Sequence, residues 1–308
     1  MKSFFILFFI GFLAGSAFAE TQLNPENAIQ DRVAPGKQLE TNIEKPDDKT
    51  TLAPPENNKK NTDKFINVKV SGAADSGKIR VIEIFVHRGS WVQSDAVLAI
   101  LDDGEKEIYV RSPDTGVVMK VLAKQGDSVS QGTALIQLKK AGSQRPNFQR
   151  AWKFFSLMNV SVASVGKRLG GKVRDNINIQ EEDKGKWKNA CAVRMSFVLN
   201  NTGFPIKEGK YPTVSAQIKG LYIYRIDDMI SYLRDTFGDP DIAVNRSPKP
   251  EDFSGMQGIL VVTGDGRGDA RGHVTLWDGS ACSDICRLTG DENNTNFTPH
   301  KAVLWVLP

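Results

Sequence analysis

Long apolar stretches are missing from this chain beyond residue 13. A membrane-spanning helix takes roughly 20 such residues, so no transmembrane segment is expected. Also absent is any concentrated Lys/Arg stripe: 40 basic and 36 acidic residues are interspersed and leave a formal charge of +4. That balance permits weak attraction to an anionic surface such as a cell wall, and it argues against nucleic acid as a partner. Histidine and cysteine are rare, with three of each. The one close cysteine pair, Cys282 and Cys286, has no His beside it, which is not the spacing of a zinc site; neither metal nor cofactor is expected. Such scarcity makes each thiol and imidazole informative.

What is present reads as globular. Of 308 residues 40% are hydrophobic, with five Trp and sixteen Phe, enough for two modest domains and spare chain. Residues 1–19 read as an export signal: Lys2 supplies a positive start, Phe4 to Leu13 a short apolar run, and Ala17-Phe18-Ala19 a small-residue cleavage site. No Cys lies near the cut, which argues against a lipid anchor. The expected destination is the periplasm or the extracellular space. Disulfides persist there, so a leftover thiol needs a reason. Cys282 and Cys286 are neighbours and Cys191 stands alone, so chemistry is sought first at Cys191. Residues 20–63 are rich in Pro, Asn, Asp and Lys and too poor in apolar side chains to offset backbone ordering. They read as a disordered linker.

Residues 64–141 turn to short β-branched runs punctuated by Gly and contain an internal repeat. Gly89, Val92, Leu98 and Leu101 recur as Gly126, Val129, Leu135 and Leu138, at a constant offset of 37 residues. Each copy predicts a strand, a Gly turn and a second strand: Val81 to Val86 and Val97 to Leu101, then Val118 to Ala123 and Ala134 to Leu138. Neither copy closes a core alone. The segments GSWVQSDAVLAIL and SPDTGVVMKVLAKQGDSVSQGTALIQL resemble the biotinyl/lipoyl-like barrel-sandwich domain. In carriers of that family a Lys at a hairpin tip is acylated. Counting back from Pro113 puts Glu105 at that place, with Lys106 one position off. An unmodified structural or binding module is therefore expected.

Residues 142–308 differ in character, with helices preceding a run of strands, which suggests an α+β domain. Helices are expected at Ala190 to Asn201, stopped by Gly203, and at Asp227 to Phe237, stopped by Gly238-Asp239-Pro240. Strands are expected at Gly258 to Thr263, His273 to Trp277 and Ala302 to Leu307. Asn189 reads as an N-cap, placing Cys191 in the first helical turn, where helix dipole and unpaired amides favour a thiolate. His273 opens a strand directly after the loop GDGRGDARG, with Gly272 clearing space before it. A base at a strand edge can meet a helix N-terminus across a cleft. The loop is no phosphate cradle, because no Lys-Ser/Thr follows and a strand comes next. A third group should orient the imidazole, and Asp278 and Asp284 are the candidates. Asp278 precedes Gly279 as in a turn. Asp284 lies in CSDIC, where a Cys282–Cys286 bridge would fix the loop.

Taken together, LGGKVRDN, WKNACAVRMSFVLNNTG, YRIDDMISYLRDTFGDPD, GILVVTG, GHVTLWDG and CSDIC resemble the type VI secretion amidase effectors of family 4. The resemblance runs from about Phe148 to Pro308 and implies an NlpC-type, papain-like fold. It implies hydrolysis of the amide between the γ-carboxyl of D-glutamate and meso-diaminopimelate in peptidoglycan stem peptides. Matched to the motifs, Cys191 is the nucleophile, His273 the base and Asp284 the orienting acid, with Cys282 and Cys286 the paired cysteines. Arg194 and Trp277 are candidate substrate-cleft residues, with a helix-surface charge the other reading of Arg194 and a core side chain the other reading of Trp277. An export signal and a front-end barrel depart from the family pattern, leaving open an antibacterial toxin or a wall-remodelling enzyme, with a periplasmic immunity or inhibitor protein as expected partner. An acyltransferase using the same thiolate, and a non-catalytic wall-binding adaptor, are the alternatives.

Overall fold

The computed structural model describes residues 65–73, 78–179, 185–266, 271–289 and 297–308. The expected export signal and linker lie outside these residues, as does the middle of the Gly-rich loop before His273.

Eight strands build the first half: β1 Phe65–Lys69, β2 Ile79–Ile84, β3 Trp91–Val92, β4 Val97–Asp102, β5 Glu107–Arg111, β6 Gly116–Val121, β7 Ser128–Val129 and β8 Ala134–Lys140. They form two four-stranded antiparallel sheets, ordered β1-β8-β6-β3 and β5-β4-β2-β7. The repeat is visible in the strands, since β2, β3 and β4 correspond to β6, β7 and β8 at the 37-residue offset. Each copy lends its short strand to the other copy's sheet, β3 pairing with β6 and β7 with β2. Val81, Leu98 and Leu101 therefore share one interior with Val118, Leu135 and Leu138. That exchange is the physical reason one copy cannot close a core. Both long strands end two residues earlier than the sequence suggests, at Ile84 and Val121, because the equivalent residues Phe85 and Leu122 leave the interior and are 49% and 51% exposed. At the β4–β5 tip, Asp102 Oδ1 accepts the Gly104 amide at 2.8 Å, and Asp103 Oδ1 accepts the Glu105 and Lys106 amides at 3.0 and 2.9 Å. Carboxylates shape this turn.

The second half contains α1 Phe148–Met158, α2 Val162–Leu169, α3 Gly171–Ile177, α4 Cys191–Asn201, β9 Thr213–Ser215, β10 Leu221–Ile223, α5 Ile226–Phe237, β11 Ile242–Val244, β12 Gly258–Asp265, β13 Gly272–Trp277 and β14 Thr298–Val306. The last four strands form an antiparallel sheet ordered β11-β14-β12-β13. Alternation assigns the faces. Ile259, Val261, Val274, Leu276, Val303 and Trp305 pack against residues of α1, α4 and α5, including Phe155, Met195 and Leu233. Leu260, Val262, Trp277, Ala302, Leu304 and Val306 form the opposite face. Helix α4 is buried nearly all round, with Met195 and Leu199 facing the sheet cluster and Val193 and Phe197 facing α2 and α3. A helix buried on two sides explains why CAVRMSFVLNN shows little one-sided patterning.

The β barrel covers that opposite sheet face. Val117 is buried in one cluster with Phe253, Met256, Leu260 and Trp277, and Trp91 and Met119 pack against it. Gly89 has φ +91°, and a Cβ there would lie 2.3 Å from Met256 Cγ, so the contact requires glycine. The connecting segment is pinned by charge. Arg145 pairs with buried Asp241, donates to the Val306 carbonyl at 2.8 Å, and lies 5.4 Å over the Trp91 ring. Lys139 lies 3.4 Å from the same carboxylate and donates to the Pro240 carbonyl at 2.6 Å. Asp241 Oδ2 also accepts the Val306 amide at 2.8 Å. A buried carboxylate with this many donors is satisfied, and losing it would strand two cations.

Candidate active site

Cys191 is the first residue of α4 and is 8% exposed. The expected Asn189 cap is not formed. Ala190 occupies the N-cap position and no side chain caps the helix, so the first-turn amides keep their hydrogen-bonding capacity. His273 is the second residue of β13 and is buried beside it. Gly272 is needed in front of it, because a Cβ there would come within 2.9 Å of the Val262 carbonyl oxygen and 3.2 Å of Ile226 Cγ1.

The thiol and the imidazole lie within interaction range and each shifts the other's proton affinity. His273 Nε2 meets Asp284 Oδ1 at 3.0 Å, leaving Nδ1 for the sulfur. Burial pushes the Cys191 thiol up, but the His273 hydrogen bond and charge, helped by the Val274 amide, outweigh it and hold the thiol below its ordinary value. Burial pushes His273 down, but its bonds to Asp284 and Cys191 prevail and raise the imidazole to about 9. Opposite shifts on neighbouring partners favour a thiolate beside an imidazolium. Such a pair supplies a nucleophile and a proton donor side by side.

Asp284 is held from several directions. The Cys282–Cys286 disulfide closes its loop. Ser283 exchanges bonds with β13, its amide donating to the Leu276 carbonyl at 2.8 Å and its hydroxyl accepting the Leu276 amide at 3.2 Å. Asn159 Nδ2 donates to the Ser283 carbonyl at 2.7 Å. Asp278, the other candidate, accepts the Ser280 and Ala281 amides at 2.8 and 2.7 Å and shapes the turn.

Neither candidate cleft residue is among the residues that line the cavity at Cys191. Arg194 does not line the cleft. It lies one turn along α4 beneath the site, donates to the Met158 and Val160 carbonyls at 2.9 and 2.6 Å, and faces Asp284 Oδ2 at 3.7 Å. The reason is helical spacing, which puts residues three apart on one face and so places Arg194 below Cys191. Trp277 is 1% exposed, donates to the Phe253 carbonyl at 3.0 Å and belongs to the far-side core, because it alternates with Leu276 along β13. The other two histidines are remote: His87 is in the barrel half, and His300 pairs with Asp265 at 2.8 Å.

The cleft that opens onto Cys191 has a volume of about 480 Å³ and is walled by Trp187, Tyr224, Lys186, Lys188, Arg225 and Asp227, with Arg271 also bordering it. Trp187 stacks on Tyr224 with ring centroids 4.6 Å apart. Sequence reasoning missed these residues. They come from three separate segments without a shared motif, and only the fold gathers them.

Comparisons with known proteins agree with this architecture. The family model of the type VI secretion system amidase effector protein 4 matches residues 187–305, and that of the biotin-requiring enzyme matches residues 67–138. The effector Tae4 from Salmonella typhimurium, solved in complex with the immunity protein Tai4 from Enterobacter cloacae, is 51% identical over its whole length and 53% of this chain, with a TM-score of 0.49. Tae4 from Enterobacter cloacae is 46% identical over 98% of its length and 54% of this chain, with a TM-score of 0.48. The dihydrolipoyllysine-residue acetyltransferase component of the Pseudomonas aeruginosa pyruvate dehydrogenase complex is 35% identical over 77 residues, and the chain spans only 14% of that protein's length. Both solved effectors are matched along nearly their full length by about half of this chain. The match places residues 187–305 in the domain family of the type VI secretion amidase effector protein 4, a family of peptidoglycan amidase effectors, with a biotinyl/lipoyl-like domain at residues 67–138 upstream.

Proposed function

We propose that the protein hydrolyses the γ-D-glutamyl–meso-diaminopimelate amide of peptidoglycan stem peptides, with Cys191 as nucleophile, His273 as acid and base, and Asp284 as the orienting carboxylate. The observation that supports this most is the Cys191–His273 pair, whose proton affinities shift in opposite directions, with Cys191 lining the cleft. In this reading the Cys191 thiolate attacks the amide carbonyl, and the α4 first-turn amides stabilise the oxyanion. His273 then gives its proton to the leaving amine, and afterwards takes one from the water that releases the acyl-enzyme. Asp284 holds the imidazole's orientation throughout. Cationic Lys186, Lys188 and Arg225 in the cleft wall suit a substrate rich in carboxylates.

The export signal read from residues 1–19 assigns the action to the periplasm or beyond, as a toxin against neighbouring bacteria or as a wall-remodelling enzyme. An immunity-type inhibitor, like the Tai4 bound to the Salmonella relative, is the expected protein partner. Domain limits of 64–141 and 142–308 complete the proposal. Mass spectrometry of diaminopimelate-type muropeptides incubated with the protein tests the chemistry. New stems ending in D-glutamate are expected; an amine conjugate would mean acyl transfer, and unchanged stems would mean binding alone.

A further inference from the structure

The barrel half carries a groove that the amidase chemistry does not use. It has a volume of about 630 Å³ and is lined by the ends of β2 and β6 and the segments that follow them. Its floor is aliphatic: Ile84, Val86, Met119, Val121 and Leu122. Around that floor stand Arg88, Lys120 and Lys124, with His87 and Gln125, and no carboxylate lines the groove. The nearby Asp127 accepts the Lys124 backbone amide within its turn and is not part of the wall. Among the described residues the Arg88 guanidinium reaches the Asp252 carbonyl, at 3.4 Å, and His87 Nδ1 lies 2.9 Å from the Arg88 carbonyl. The groove straddles the internal repeat: Ile84 and Val121, His87 and Lys124, Arg88 and Gln125 are equivalents at the 37-residue offset.

Two further observations give the groove a use. Glu105 stands where an acylated lysine would be, so the barrel has no carrier chemistry to perform at that hairpin. The barrel is also packed against the sheet that carries His273 by Gly89 on Met256 and by the Arg145–Asp241–Lys139 cluster, so groove and cleft belong to one compact unit. A fixed second site adds to affinity only when both sites engage one extended ligand. The peptidoglycan polymer presents many stems, each bearing carboxylates on a short chain with aliphatic alanine side groups.

We infer that this groove is a second, non-catalytic binding site for acidic peptide stems of the wall, holding the polymer while Cys191 works on a neighbouring stem. The inference rests on the amidase reading for its ligand, and its test separates the two. Full-length Cys191→Ala protein is co-sedimented with intact sacculi, alone and with a K120E/K124E pair added. Both lysines are surface side chains, and an unchanged melting temperature checks the fold. The charge reversal is expected to weaken sacculus binding about fivefold or more, with the loss shrinking at high salt. A free acidic stem peptide should compete for the bound protein, and the same peptide with amidated carboxylates should not. With Cys191 restored, the K120E/K124E protein should cleave a soluble monomeric muropeptide at the unmodified rate and intact sacculi more slowly. Undiminished sacculus binding by the double variant, or equal binding to glycan strands stripped of stems, would overturn the groove assignment. Failure of the unmodified protein to cleave the soluble muropeptide would instead overturn the amidase reading and leave the binding result intact.

Discussion

At the residue scale the proposed chemistry runs through Cys191, His273 and Asp284. Cys191→Ala is expected to lower muropeptide cleavage at least about 1,000-fold with an unchanged melting curve, whereas Asp284→Ala should cost roughly tenfold less, since its part is orientation. Both are checked by steady-state kinetics beside circular dichroism. The pH dependence follows from the opposed shifts. His273 is raised to about 9, so the imidazolium is present below that value and is lost as pH climbs through it. The Cys191 thiol is depressed, so the thiolate is lost as pH falls through its lowered value. The kcat/KM profile should therefore be bell-shaped, with its alkaline limb near pH 9. Arg194 faces the Asp284 oxygen that His273 leaves open and offsets part of that charge. Arg194→Gln should let Asp284 hold the His273 proton more tightly and move the alkaline limb up by about half a pH unit. An alkaline limb that stays in place or moves down would show that the guanidinium has no electrostatic hold on the site.

At the element scale, much of this geometry rests on how short segments end. The Cys282–Cys286 bridge closes a small loop and contributes about 2 kcal/mol by loop-closure entropy, while keeping Asp284 against His273. A C282S/C286S protein should melt at a lower temperature and lose kcat more than it raises KM, because residues 282–286 are not among those lining the proposed substrate cleft. Equal loss in both constants would place the loop in substrate binding instead. Local sequence carried several elements well: Gly238, with φ +75°, stops α5, and apolar β12 is buried on both faces. It carried others poorly. Asn189 has the chemistry of a cap but not the place, since the chain reaches α4 through Ala190 in a non-helical conformation that no side chain closes. Trp277 could be read either as a cleft residue or as core, and its side chain is buried in the far-side cluster, opposite Val274 and Leu276 on the strand.

At the scale of the whole molecule, the two halves are joined through Asp241. Replacing it with Asn should cost about 3–5 kcal/mol, because Arg145 and Lys139 would lose a buried counter-charge. Calorimetry would read this as a lower melting temperature, and a shift within error would mean the cluster is dispensable. The docking also explains an asymmetry in the repeat: Met119 and Val117 pack on the amidase sheet, while their equivalents Ile82 and Arg80 are exposed. The sequence by itself determined the repeat period, the lone thiol in a first helical turn and the His at a strand start, because these follow from local spacing. Tertiary structure alone decided that the thiol meets the imidazole, that Arg194 backs the acid, that the barrel is fixed to the catalytic sheet, and which side chains wall the cleft. Those contacts join segments tens to more than a hundred residues apart, and no local propensity encodes which distant surfaces will bury one another.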